Sequence, residues 1–253
     1  MVGGAPPVLR RALGSTESRR AALAGILLGA LVAYYAAHER LPDISQWWEV
    51  AFIALVLMPA VFGLVLLGLP LWQAHGLLAV GLALVALTAV LTAAGLDIAA
   101  NFTKLAAMTA LGFWFLGYFE TVRWVVLVAA IIPLVDAYSV WRGPTRHIVE
   151  EQAELFTTLS IAFPVPGEHG SANLGVPDLL FFAVFLAACV RFRLRPLWTW
   201  LAMTLSFGLT IVLAVATDAV GLPALPGLSL AFLLVNADLL WKRGWQTEPE
   251  RVP

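Results

Sequence analysis

Charge is what this chain has least of. Only 12% of its 253 residues are Asp, Glu, Lys or Arg, against 61% hydrophobic residues, and the mean hydropathy is +0.88. No water-soluble fold of this length is open to such a composition, which excludes the soluble enzyme and binding classes. The net charge of -1 points to neither nucleic acid nor an acidic partner, so no nucleic-acid role is expected. Cysteine is nearly absent, and the single Cys189 can form no internal disulfide. No group of His and Cys has the spacing of metal ligands, so neither a metal nor another cofactor is expected. What remains is an all-α polytopic membrane protein whose solvent is the lipid bilayer.

A helical crossing needs about 20 mostly apolar residues to cover roughly 30 Å of hydrocarbon, and on that ruler the chain divides into about eight spans. They run from Ala21 to Ala37, Val50 to Leu69, Leu71 to Leu96, Leu105 to Phe119, Trp124 to Trp141, Leu174 to Val190, Leu197 to Thr217 and Leu222 to Leu240. Trp47, Trp48, Trp72, Trp124, Trp141, Trp198, Trp200, Trp241 and Trp245 fall near the span ends, where tryptophan prefers the headgroup boundary. Basic residues are retained on the cytoplasmic side. Arg10, Arg11, Arg19 and Arg20 before the first span, Arg191, Arg193 and Arg195 between the sixth and seventh, and Lys242 and Arg243 after the last agree on one topology, with both termini cytoplasmic. The expected organisation is a tail over 1–20, a four-helix membrane scaffold over 21–119, a second membrane half over 120–241 with an outer loop at 142–173, and a tail over 242–253. The expected setting is that of an integral membrane protein.

Several features have ordinary explanations. Large tyrosines near the end of the first span favour an uncleaved anchor over a signal peptide. Gly25 and Gly29 form a small-xxx-small pair that reads as ordinary helix packing. Glu49, Asp97, Asp218 and Asp238 sit at span ends, where a charge is cheap, as do Lys104, Glu120 and Arg123. In the long loop, RHIVEEQAELF has helical spacing, while SIAFPVPGEHGSAN carries breakers and has room for a short strand. The loop reads equally as a solvated linker or as a functional cover.

Two acids do not fit this pattern. Asp136 lies in AAIIPLVDAYSVW and Asp178 in NLGVPDLLFFAVFLAA, both inside spans. A carboxylate at membrane depth costs about 2.5–3.5 kcal/mol on insertion scales, which marks a functional-site candidate. Asp136 precedes the outer end of its span by about five residues, roughly 7–8 Å at the helical rise. Asp178 follows the start of the next span, so both carboxyls lie at similar depth. Pro223-Ala224-Leu225-Pro226 opens the last span on the same side, and prolines leave backbone groups that a membrane tolerates only against protein or a water-filled cavity.

Taken in order, these residues resemble the presenilin and signal peptide peptidase family of intramembrane aspartyl proteases. That family carries an Asp in one helix, Gly-x-Gly-Asp at the start of the next and Pro-Ala-Leu opening the last. Asp136 in VDAYSVW looks like the first, Gly175-Val176-Pro177-Asp178 like the second and Pro223-Ala224-Leu225 like the third. The stretch from Asp136 through Trp141 to His147 is most similar to archaeal members. The resemblance spans about Leu127 to Trp241 and offers no motif in the first four spans. Val135 stands where the family has Tyr, Pro177 where it has Gly, and about four spans precede Asp136 where the family has five.

The resemblance implies a presenilin-like catalytic half in which Asp136 and Asp178 are catalytic. Gly175, Val176, Pro177, Pro223, Ala224, Leu225 and Pro226 would then shape the site and receive substrate backbone. The partner would be a membrane-spanning protein or peptide, locally unwound. Two carboxyls in such a site share one proton and titrate as a unit, the ionised member activating water and the protonated one polarising the scissile carbonyl. Other readings are a catalytically silent relative that binds membrane proteins and a small proton- or cation-coupled transporter. For a transporter, the first four spans lack the expected repeat of the LPALP segment.

Overall fold

A computed structural model describes residues 7–142, 160–217, 219 and 222–245. The chain is mostly helical. Helix α1 covers Pro7–Ala37; α2 (Gln46–Phe52), a wider π turn (Ile53–Leu57) and α3 (Met58–Gly68) form one rod; α4 covers Leu77–Ala93 and α5 Asp97–Phe115. Then come α6 (Val122–Arg142), strands β1 (Ser160–Pro164) and β2 (Ser171–Gly175), and helices α7 (Val176–Arg191), α8 (Pro196–Ala216) and α9 (Leu225–Trp245).

Every predicted span is occupied by helix, but the boundaries move. The junction expected near Pro70 is a tight turn over Leu69–Gln73, so α4 starts only at Leu77, after Gly76 in a left-handed conformation (φ 76°). Gly95, also left-handed (φ 69°), separates α4 from α5, as expected of a residue without a Cβ at a helix end. Among the described residues, five helical stretches are long and apolar enough to cross a membrane: Glu17–Arg40, Gln46–Gln73, Val122–Ser139, Pro196–Ala216 and Leu225–Lys242. Helix α4 is apolar but shorter, and α7, with 16 residues, spans about 24 Å at 1.5 Å per residue.

The short α7 is the centre of the molecule. Every residue from Phe182 to Cys189 is fully buried, the signature of a helix that is apolar on all sides and enclosed by others. Phe182 stacks on Phe62 of α3 with ring centroids 4.4 Å apart, and Phe62 stacks on Phe207 of α8 at 5.2 Å. Helix α5 closes the other side at Gly112, where an added Cβ would lie 2.7 Å from the Leu180 carbonyl oxygen and 2.8 Å from the Ala183 Cβ. The outer helices differ in character: α1 exposes Leu23, Ile26 and Val32, the apolar surface expected against lipid. Gly25 and Gly29 have open space around them, so this pair packs no helix among the described residues.

The loop before α7 adds two strands to the all-α expectation. From Ser160 onward it is no solvated linker: β1 and β2 pair antiparallel, from Ser160 opposite Gly175 to Pro164 opposite Ser171, with Ile161 and Phe163 fully buried. The helical reading of RHIVEEQAELF falls on residues 146–156, and that of Asp218 on residue 218, both outside the described residues. The hairpin rests on the C-terminal end of α1 and the first turns of α5. Tyr34 Oη donates to the Pro164 carbonyl (2.7 Å), Tyr35 Oη to that of Ala162 (2.8 Å) and Lys104 Nζ to that of Ser160 (2.9 Å). The Gly167 N–H donates to the His38 carbonyl oxygen (2.8 Å).

Candidate functional site

At the hairpin end of the bundle, α6, α7 and α9 bring the predicted site residues together. Asp136 sits on α6 one turn after Pro133, a proline inside the helix. A proline there removes an intrahelical hydrogen bond and clashes with the preceding turn, so α6 is weakened just before its carboxylate. Asp136 is partly buried, and its Oδ2 accepts a hydrogen bond of 3.1 Å from the Leu225 N–H.

That bond accounts for the Pro223 to Pro226 segment. Helix α9 starts at Leu225, with the Leu228 N–H already bonded to the Ala224 carbonyl. The first N–H groups of a helix have no partner within it, and Ser, Thr, Asp or Asn at the preceding position commonly supplies one. Ala224 has no such group, so the acceptor comes from another helix, Asp136. Ala224 and Leu225 are buried, Pro223 and Pro226 partly so.

Asp178 is delivered differently. Strand β2 ends at Gly175, which is extended (φ -61°, ψ 145°) and immediately precedes α7. Asp178 is the third residue of that helix, and its carboxylate takes a hydrogen bond from the Gly175 backbone. This is the carboxylate half of a capping box, and it favours the positive end of the helix dipole. The Gly175 position is tight, since a Cβ there would stand 3.1 Å from Asp178 Oδ2. Pro177, a departure from the family pattern, falls in the first turn of α7, where its missing N–H removes no helical bond. Val135, the other departure, is exposed on α6.

Asp136 stands close enough to Asp178 for its charge to bear on it. Neither has a cationic partner among the described residues, and both are held by backbone donors alone. No group of three or more His, Cys, Asp or Glu suited to a metal occurs among the described residues. The arrangement places two acids and a proline-flanked helix start at one end of the bundle, with the end of β2 leading into α7. Chemically it offers paired carboxyls for proton transfer and backbone groups for holding a chain.

Sequence reasoning passed over the residues that hold the hairpin. Asn101 of α5 is 7% exposed; its Oδ1 accepts from the Ala162 N–H (2.9 Å) and its Nδ2 donates to the Ala162 carbonyl (3.1 Å). A primary amide one turn inside an apolar helix was the available signal, as was Pro133 three residues before Asp136. Trp200, expected at the headgroup boundary, instead donates its indole N–H to the Phe62 carbonyl at 3.0 Å.

Compared with known proteins, the chain matches no protein-family model and no curated sequence.

Proposed function

We propose that the protein is an intramembrane aspartyl protease of the presenilin and signal peptide peptidase type, hydrolysing peptide bonds in transmembrane segments with Asp136 and Asp178. The observation that carries this reading is that Asp136 bonds to the start of α9 at Leu225 while its charge reaches Asp178 at the start of α7. Three motifs far apart in sequence thus meet at one end of the bundle. In this reading the chain crosses the membrane eight times with both termini cytoplasmic, and the hairpin end faces outward.

The chemistry needs only the pair and water. The ionised carboxylate takes a proton from a bound water, whose oxygen attacks the scissile carbonyl carbon. The protonated carboxyl gives its proton to the carbonyl oxygen, forming a gem-diol. The C–N bond then breaks as the nitrogen takes the dyad's proton and a gem-diol hydroxyl gives its own to the carboxylate pair, leaving a new carboxyl and a new amine and the pair again with one shared proton. Close orientation of both acids is the source of rate.

A second reading has its own observation: each acid caps a helix, Asp136 that of α9 and Asp178 that of α7. A catalytically silent relative would keep both for that reason alone. The two readings separate in a cleavage assay with a synthetic transmembrane peptide in liposomes. Asp136→Ala and Asp178→Ala are each expected to abolish cleavage while leaving folded protein. Full activity in both variants overturns the protease reading, and a folded wild type that binds the peptide without cutting it establishes the silent one.

A further inference from the structure

We infer that Asn101, in the N-terminal half, is a positioning residue for Asp178 and acts on it through the hairpin; this rests on the protease reading above. Strand β1 has two edges. One pairs with β2. The other meets Asn101, whose amide gives and takes the two hydrogen bonds that a neighbouring strand would supply to Ala162. In a water-poor setting an open strand edge is not tolerated, so the amide substitutes for the missing strand.

The link to the acid is short. Ser160 at the start of β1 is in register with Gly175 at the end of β2. Gly175 precedes α7 and its backbone holds the Asp178 carboxylate. Each step from the Asn101 amide to that carboxylate is therefore a hydrogen bond, a strand pairing or a few covalent bonds. The Ala162 carbonyl has a second donor in Tyr35 Oη, whereas its N–H has Asn101 Oδ1 as its acceptor. Removing the amide takes the acceptor from the N–H of a half-buried strand residue and frees β1 to shift, which carries Gly175 and Asp178 with it. Asp136 is held by Leu225 instead and stays where it is. The variant thus disturbs the relation between the acids while leaving both side chains present, and catalysis falls steeply with such misplacement.

The test uses Asn101→Leu in the full chain, reconstituted in liposomes with the transmembrane peptide that wild type cleaves. At equal folded concentration kcat is expected to fall at least about tenfold with KM within about twofold. Asn101→Asp, which keeps an acceptor for the Ala162 N–H, is expected to recover most of that loss. An unchanged kcat in folded Asn101→Leu overturns the inference, as does a fall that only follows the folded fraction. If Asn101→Leu does not fold, Asn101→Ala takes its place with the same readouts.

A second arm needs no catalysis. Asp136→Cys and Asp178→Cys are combined on a Cys189→Ala background and joined with a short bifunctional thiol reagent, with and without Asn101→Leu. A lower cross-link yield with Asn101→Leu upholds the inference, and an equal yield overturns it. Should wild type cleave no peptide, the protease reading fails alone and this arm decides the role of Asn101.

Discussion

The two ends of α7 are held by opposite means. At its C-terminal end charge is matched by charge: Arg195 forms a bidentate pair with Asp238 at 2.7 and 2.8 Å and also donates to the Val235 carbonyl. Asn236 accepts from the Arg195 N–H and donates to Thr199, and Arg191 donates to the Leu116 carbonyl. At its N-terminal end two acids stand without a cation among the described residues, held only by backbone N–H groups. Asp238 lies half exposed at a helix end, where an ion pair is ordinary. Asp136 and Asp178 occupy an apolar setting that disfavours them, with no cation among the described residues to offset it. This contrast separates the candidate site from the rest of the polar residues.

Substitutions at three points along α7 sharpen the comparison. The largest effect is expected in the middle, at Gly112→Ala. The new Cβ would press on the Leu180 carbonyl and Ala183. Overpacking of this kind costs about 1–3 kcal/mol, more than the gain of up to about 1 kcal/mol from alanine as a helix former. Denaturation in detergent should show a lower unfolding midpoint, and an unchanged or higher one would mean that α5 and α7 do not meet there. At the N-terminal end Gly175→Ala fits the local backbone, but its Cβ would crowd Asp178 Oδ2 at 3.1 Å. Cleavage is expected to fall about three- to tenfold with the midpoint unchanged, because a displacement of a few tenths of an ångström is enough to impair orientation. At the C-terminal end Asp238→Asn breaks the pair with Arg195 and is expected to leave cleavage unaltered, with a small drop in the midpoint. Loss of cleavage there would erase the distinction between the two ends.

Much of this was legible in the sequence because a bilayer imposes a simple code. Apolar length placed a helix in each predicted span, and the cost of an intramembrane carboxylate singled out Asp136 and Asp178 without any contact being known. The proline segment was recognised as broken backbone, though not as a helix start served by Asp136, since the acceptor lies 89 positions away. Long-range pairing of this sort leaves no periodic trace. A short strand was expected in SIAFPVPGEHGSAN, where β1 lies, but the full hairpin was not legible for the same reason. Its strands are five residues each, and its edge is completed by Asn101, 61 positions earlier. Pro177, where the family has Gly, falls in the first turn of α7, a position that the sequence alone did not give and where a proline is harmless.

The central claim is that Asp136 and Asp178 act together on water. Mass spectrometry of a transmembrane peptide in liposomes, incubated with wild type, Asp136→Asn or Asp178→Asn at equal folded concentration, tests it most directly. Asparagine keeps an oxygen for the Leu225 and Gly175 backbone groups while removing the exchangeable carboxyl proton, so the fold is retained and the chemistry is not. The account predicts two new peptides from wild type, joined by the mass of one water, and none from either variant; product at the wild-type rate from either variant would contradict it.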